Sequence, residues 1–201
     1  MTTYHDIRGQ VEPFDIFLFS GKGFISRAIQ LVTGSPWSHV GLSLRLPGYD
    51  FNLLYESTTM SALPDLTTGA PVKGVQLTYL SQRLKTYDGR VGWRHISGPR
   101  PAGIYDEAAE FVREFAGRPY EENQLSLIRS AIDVPGLGQT QSDMSSVFCS
   151  ELSTHLLRKV GFMKDTVVLI PANEYTPADF ADDAVMSWAG GYSAGEVVDL
   201  L

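Results

Sequence analysis

The chain carries one cysteine, Cys149, in the stretch "DMSSVFCSEL" (143–152). A thiolate is a strong nucleophile, and the start of a helix stabilises one through its free amides and its dipole. The run "SVFCSELSTHLLRKVGF" (146–162) reads as such a helix. It has a serine cap, Leu152, Leu156 and Leu157 inside, Arg158 and Lys159 late and Gly161 as a stop, so Cys149 falls in its first turn. The plainer reading is a buried, inert cysteine. What separates the two is a base beside the thiol and a third group that orients the base.

Four histidines are available as that base. His155 lies on the same helix as Cys149 but on a different face and turn, which removes it. His5 sits in a polar N-terminal segment, and His95, in "VGWRHI", has nothing obvious to act on. His39 stands in "WSHVGLSLRL" (37–46), where Val40, Leu42, Leu44 and Leu46 face one way and His39, Gly41 and Ser43 the other. That alternation predicts a strand with one packed and one polar face. Gly41 beside the imidazole leaves room for a substrate or a helix end. "PGYD" (47–50) is turn chemistry, and "FNLLYEST" (51–58) is the return strand. A two-residue tip at Pro47–Gly48 sets His39 directly opposite Glu56, with both side chains on one face. A carboxylate there fixes the tautomer of the imidazole and stabilises the imidazolium. The alternative reading is a surface Glu–His pair. Cys149, His39 and Glu56 together make a candidate thiol triad, with a thiol expected to be accessible and low in pKa. One cysteine and scattered histidines match no zinc spacing, "GKGF" (21–24) lacks the P-loop pattern and "GLGQTQS" lacks its strand-to-helix context, so neither metal nor cofactor is expected.

The elements that must position these residues predict an α+β chain with a mostly antiparallel sheet. "FDIFLF" (14–19) reads as a buried strand and "GKGFISRAIQLVTGSP" (21–36) as a helix ended by Gly34 and Pro36. Residues 59–74 and 133–146 read as loops. "GVQLTYL" and "VGWRHI" are further strands flanking a short helix, "LSQRLKTY", and "GIYDEAAEFVREFAG" (103–117) is an amphipathic helix. "VVLI" (167–170) reads as a last edge strand.

A length of 201 residues suits one domain over 1–201. With 43% apolar and 19% charged residues, nothing reads as disordered. A net charge of −7 without a basic tract argues against nucleic acid and anionic membrane surfaces as partners. A single cysteine excludes an internal disulfide. No window approaches the ~20 apolar residues of a membrane span. "MTTYHDIRGQVEPFD" lacks the pattern of a signal peptide, so a cytoplasmic protein is the default expectation; a phage-encoded product, or an exported one trimmed of its leader, reads the same.

On four pieces the chain resembles the circularly permuted, NlpC-type papain-like cysteine hydrolases (YiiX-like). "FDIFLFSGKGFISRAIQLVTGSPWSHVGL" resembles the opening strand, helix and histidine strand of that family. "LLYEST" resembles its acidic strand, "AGRPYEEN" the segment leading toward the nucleophile and "FCSEL" its cysteine-helix motif; together they span residues 14–160. The resemblance implies a permuted papain-like fold whose sheet packs against the cysteine helix. It implies Cys149 as nucleophile, His39 as base, Glu56 as orienting residue and Tyr120 as a substrate-side contact. It also implies hydrolysis of an amide bond in a peptide, peptidoglycan fragment or lipid amide. A thiol acyltransferase or lipid hydrolase could use the same residues. That chemistry needs an apolar groove, which Trp37 and Phe24 could line, although core packing is the plainer reading of both. A non-catalytic binding or virion module that retains the fold is the remaining alternative. The sequence leaves the oligomeric state open.

Overall fold

The computed structural model of the chain describes residues 2–46, 51–59, 62–119, 148–165 and 170–200. After a one-turn helix α1 (Tyr4–Ile7) come β1 (Ile16–Gly21), α2 (Phe24–Thr33), β2 (His39–Leu44), β3 (Leu53–Thr58) and β4 (Gly74–Tyr79). Then follow α3 (Leu80–Thr86), β5 (Gly89–Arg94), β6 (Ile96–Ser97), α4 (Ile104–Phe115) and α5 (Cys149–Lys159), and near the end β7 (Ser193–Ala194) and β8 (Val198–Leu200). The result is a mixed α+β fold. Its main sheet runs β4-β3-β2-β1-β5-β8 with antiparallel neighbours throughout, and β6 and β7 form a small second ladder.

Alternation decides which side chains go to which face. Ile16 and Leu18 of β1, Val40, Leu42 and Leu44 of β2, and Leu53 and Tyr55 of β3 pack against Phe111, Val112 and Phe115 of α4 and Leu152, Leu156 and Leu157 of α5. Phe17, Phe19, Leu54, Val91 and Trp93 build a second core on the opposite face with Ile7, Val11, Leu80 and Leu200. The His39 face of β2 is therefore covered and not a polar surface: Gly41 and Ser43 are buried along with their neighbours. Alternation set the two faces correctly. The α3 segment and the two chain ends, whose short apolar runs carry little periodicity, supply the second layer.

Asp15 fastens β1 to the β5–β6 bend. Phe14 enters with φ 75°, a left-handed turn that a bulky residue adopts only when its surroundings enforce it. Asp15 is fully buried and accepts hydrogen bonds from the Glu12 amide (3.0 Å), Trp93 Nε1 (2.9 Å), the Ile96 amide (3.0 Å) and His95 Nδ1 (3.0 Å). His95 thus acts within the scaffold, through a carboxylate distant from it in sequence.

The observed β2–β3 register pairs Leu42 with Tyr55, Ser43 with Leu54 and Leu44 with Leu53. Continued outward, it sets Gly41 opposite Glu56 and His39 opposite Thr58. The expected register is wrong by two residues, because the ladder is centred between positions 48 and 49 and not between Pro47 and Gly48; the turn at 47–50 lies outside the described residues. A shift of two preserves the face, so His39 and Glu56 still share one, as diagonal neighbours. Leu46 falls beyond the strand. The helix expected over 21–36 is α2, closed by Gly34 in the left-handed conformation (φ 62°). The loop at 133–146 lies outside the described residues, as does 167–169 of the expected last strand. One edge of the sheet is formed by β8 on β5.

Candidate active site

Three elements deliver the three candidate residues to one point. Cys149 is the first residue of α5, after Phe148 in extended conformation (ψ 163°). The cap is Phe148 and not a serine; the Glu151 carboxylate accepts from the Phe148 amide (3.4 Å). His39 is the first residue of β2, so its ring stands at the strand end where α5 begins. Glu56 lies mid-strand in β3, with no exposed surface.

His39 Nε2 sits 2.5 Å from Glu56 Oε2. The Cys149 thiol lies close enough to the same imidazole to act on its charge, and with Nε2 on Glu56 the ring nitrogen left to face the sulfur is Nδ1. The backbone amides of Val40 and Ser150 also favour the ionised sulfur. Burial alone would hold the thiol neutral. The positive charge of His39, its hydrogen bond and the two amides outweigh burial and lower the Cys149 pKa. For His39, burial pulls the pKa down, but the Cys149 charge and the hydrogen bonds to Cys149 and Glu56 win, lifting it to about 9. Both partners move in the direction that favours a thiolate–imidazolium pair at neutral pH. The expected accessibility of the thiol is not met: Cys149 is 3% exposed, packed in the α5 core, while the His39 side chain is 14% exposed.

Glu56 is held ionised by more than the imidazole. Arg83 Nε donates to Oε1 (2.6 Å), Arg83 Nη2 to Oε2 (3.3 Å) and Gln76 Nε2 to Oε1 (2.7 Å). Burial pushes its pKa up, yet the charge of Arg83 and the His39 bond overcome this and hold it at about 2. The Arg83 guanidinium is clamped between the Phe19 and Tyr87 rings, 5.0 Å from each centroid. Neither Arg83 nor Gln76 was singled out from sequence. A signal existed for Arg83, which sits on the buried stripe of α3 with Leu80 and Leu84; a cation there needs a buried carboxylate. Gln76 alternates with Val75 and Leu77 and reads as an outward polar residue.

Gly41 has a different role from the one expected. A Cβ at Gly41 would lie 3.1 Å from Glu56 Cβ, Leu54 Cδ1 and the Tyr55 carbonyl. The missing side chain makes room for the Glu56 strand, not for a substrate. Trp37, expected at the substrate, is 4% exposed and packs in the core with the Arg90 guanidinium 4.8 Å from its ring. Phe24 is the reverse: it stands 87% exposed on α2. Tyr120 lies outside the described residues. His155 stands 3.9 Å from Glu151 on α5, and His5 is exposed on α1. Among the described residues, no group of three or more His, Cys, Asp and Glu is placed to hold a metal ion. A pocket of about 80 Å³ opens on His39 between α2, the ends of β2 and β3, and α3; Ile25, Ile29, Ser38, Thr58 and Arg83 line it and Cys149 does not.

The antiparallel sheet, the cysteine-led helix against it and the buried His–Glu pair define a mixed α+β protein with a candidate thiol site. No protein-family model matches the chain, and no curated protein matches it. A solved structure does: the crystal structure of the metalloprotein yiiX from Escherichia coli O157:H7, 16% identical over 96% of this chain and 97% of that one, with a TM-score of 0.52. At this identity the likeness is one of fold, and the fold of this chain is YiiX-like.

Proposed function

We propose that the protein is a cysteine hydrolase of permuted papain-like type that cleaves an amide bond through a thioester on Cys149. The observation that carries this reading is the continuous chain Cys149–His39–Glu56–Arg83, in which the thiol pKa is lowered and the imidazole pKa is raised to about 9. In the resting site the thiol proton resides on His39. The Cys149 sulfur attacks the carbonyl carbon. The negative charge on the carbonyl oxygen is met by amides of the first turn of α5, which have no intrahelical acceptor. As the tetrahedral adduct collapses, the C–N bond breaks and His39 hands its proton to the leaving amine. His39 then takes a proton from water, the hydroxide attacks the thioester, and the acid departs as the C–S bond breaks and the thiolate–imidazolium pair is restored. Glu56 keeps Nε2 protonated throughout and stabilises the imidazolium.

A transferase, or a lipid amide or ester hydrolase, would use the same residues with a different acceptor or acyl group. The exposed apolar helix α2 beside the His39 pocket favours a lipid over a hydrophilic peptide among these substrates. The yiiX structure is titled a metalloprotein. Here the nitrogens of His39 and the oxygens of Glu56 are committed to each other, to Cys149, Arg83 and Gln76. This donor set does not fit a metal ion. The test is incubation with panels of muropeptides, acyl amides and acyl esters, followed by intact-mass detection of an acyl group on Cys149. The reading requires an acyl adduct absent from Cys149→Ala, and turnover that falls on an alkaline limb near the His39 pKa of about 9. A thiol that takes up no acyl group from any panel would leave the chain a non-catalytic module.

A further inference from the structure

Helix α2 is amphipathic but faces the wrong way for a packed helix. None of its residues is buried. Its polar edge meets the sheet: Gln30 Nε2 donates to Ser20 Oγ (3.2 Å) and to the Gly21 carbonyl (3.1 Å), and Ser26 lies against Gly21. Its apolar side points outward, with Phe24 87%, Leu31 84% and Ile25 38% exposed. An amphipathic helix ordinarily buries that stripe. Two large apolar side chains are thus left in water, and among the described residues nothing covers this face.

We infer that α2 is an interfacial helix that docks the protein on a lipid surface, with the His39 pocket at the membrane boundary. Three observations select a bilayer over other occupants. Phe24 and Leu31, 87% and 84% exposed, stand two turns apart on one side of α2, and a fluid lipid layer can close around both. Ten residues span ~15 Å, and a self-paired α2 would bury only a few hundred Å², on the order of a third of the ~1,000 Å² a specific protein interface needs. The local charge fits as well. None of the chain's 23 acidic residues falls between Asp15 and Asp50, and Arg27 is exposed on α2 beside the apolar face, whereas Lys22 is taken up by Asp88. The apolar side is continuous with the pocket: Ile25 and Ile29 of α2 form one of its walls, and His39 lies at its inner end. The docking does not depend on the chemistry proposed above.

The experiment is flotation of Cys149→Ala protein with phosphatidylcholine vesicles, compared with the same protein carrying Phe24→Ser and Leu31→Ser. Circular dichroism melting confirms that both fold; the two positions are exposed and should not alter the midpoint. The expected result is vesicle binding by the parent, weakened by roughly tenfold or more for each apolar residue removed. Parent protein that stays in the aqueous layer, or a double variant that floats equally well, overturns the assignment. So does a parent that light scattering shows to be a dimer and that these substitutions convert to a monomer, since the face then belongs to a second copy.

Discussion

Replacing Glu56 with Gln removes one charge and almost no volume, and the surroundings of that carboxylate set the consequence. Its Oε1 accepts from Gln76 and Arg83, and its Oε2 from His39 and Arg83. An amide has one acceptor and one donor end. If its oxygen takes the Oε1 place, its NH₂ faces His39 Nε2, which must then give up its proton; the flipped amide instead drives NH₂ into Arg83 and Gln76. In the first arrangement the ring is protonated on Nδ1 and can no longer take the thiol proton. In both, the guanidinium of Arg83, 5% exposed, is left without a carboxylate. The native carboxyl is held at about 2 against 4.5, which corresponds to about 3 kcal/mol. Because this pKa is depressed, that stability is complete above pH 4.5 and is lost as the pH falls through about 2. At neutral pH the Glu56→Gln variant therefore loses about 3–5 kcal/mol in urea unfolding. Its rate of Cys149 alkylation shifts to a midpoint at or above that of a model thiol, ~8.5. Adding Arg83→Met removes the stranded cation and should restore much of the stability without restoring the thiol midpoint. A Glu56→Gln protein with parental stability and parental alkylation would refute the reasoning.

Two further expectations follow from the same contacts. Gly41→Ala places a Cβ against the Glu56 strand at 3.1 Å on three sides, so it should cost roughly 1–3 kcal/mol in urea unfolding and slow Cys149 alkylation; a neutral result would mean that the two strands part freely there. Asp15→Ala strands the buried donors of Trp93 and Ile96 and the part-buried amide of Glu12 and should cost at least ~2 kcal/mol. It should leave the Cys149 alkylation midpoint unchanged, whereas a shift in that midpoint would show that the Asp15–His95 pair communicates with the thiol.

What was legible in the sequence divides along physical lines. Period-two alternation is local, and it placed Val40, Leu42 and Leu44 on one face of β2 and His39 on the other. Parity is preserved under a shift of two, so the His39–Glu56 pairing was readable even though the register was not. The register depends on the length of the connection, which no single dipeptide fixes. A helix with Cys149 in its first turn was readable from Leu152, Leu156, Leu157 and Gly161, although its cap is Phe148 and not the serine expected. The groups that hold the Glu56 carboxylate were not readable. Arg83 meets Glu56 from a separate element 27 residues on, and only the topology brings them together. As large apolar side chains, Trp37 and Phe24 both suit a core or a groove. Trp37 follows the core rule, and Phe24 breaks it because α2 is anchored by the polar groups of Gln30 and Ser26.

The central claim is a thiolate on Cys149 held by His39, and the ultraviolet absorbance of that thiolate tests it most directly. The chain has one cysteine, so the difference between the parent and Cys149→Ala reports that sulfur alone and needs no reagent to reach a buried atom. The account predicts thiolate absorbance at neutral pH, with a midpoint below the ~8.5 of a free thiol, and its loss in His39→Ala. A parent protein whose thiolate appears only at or above ~8.5, with the same midpoint in His39→Ala, would contradict it.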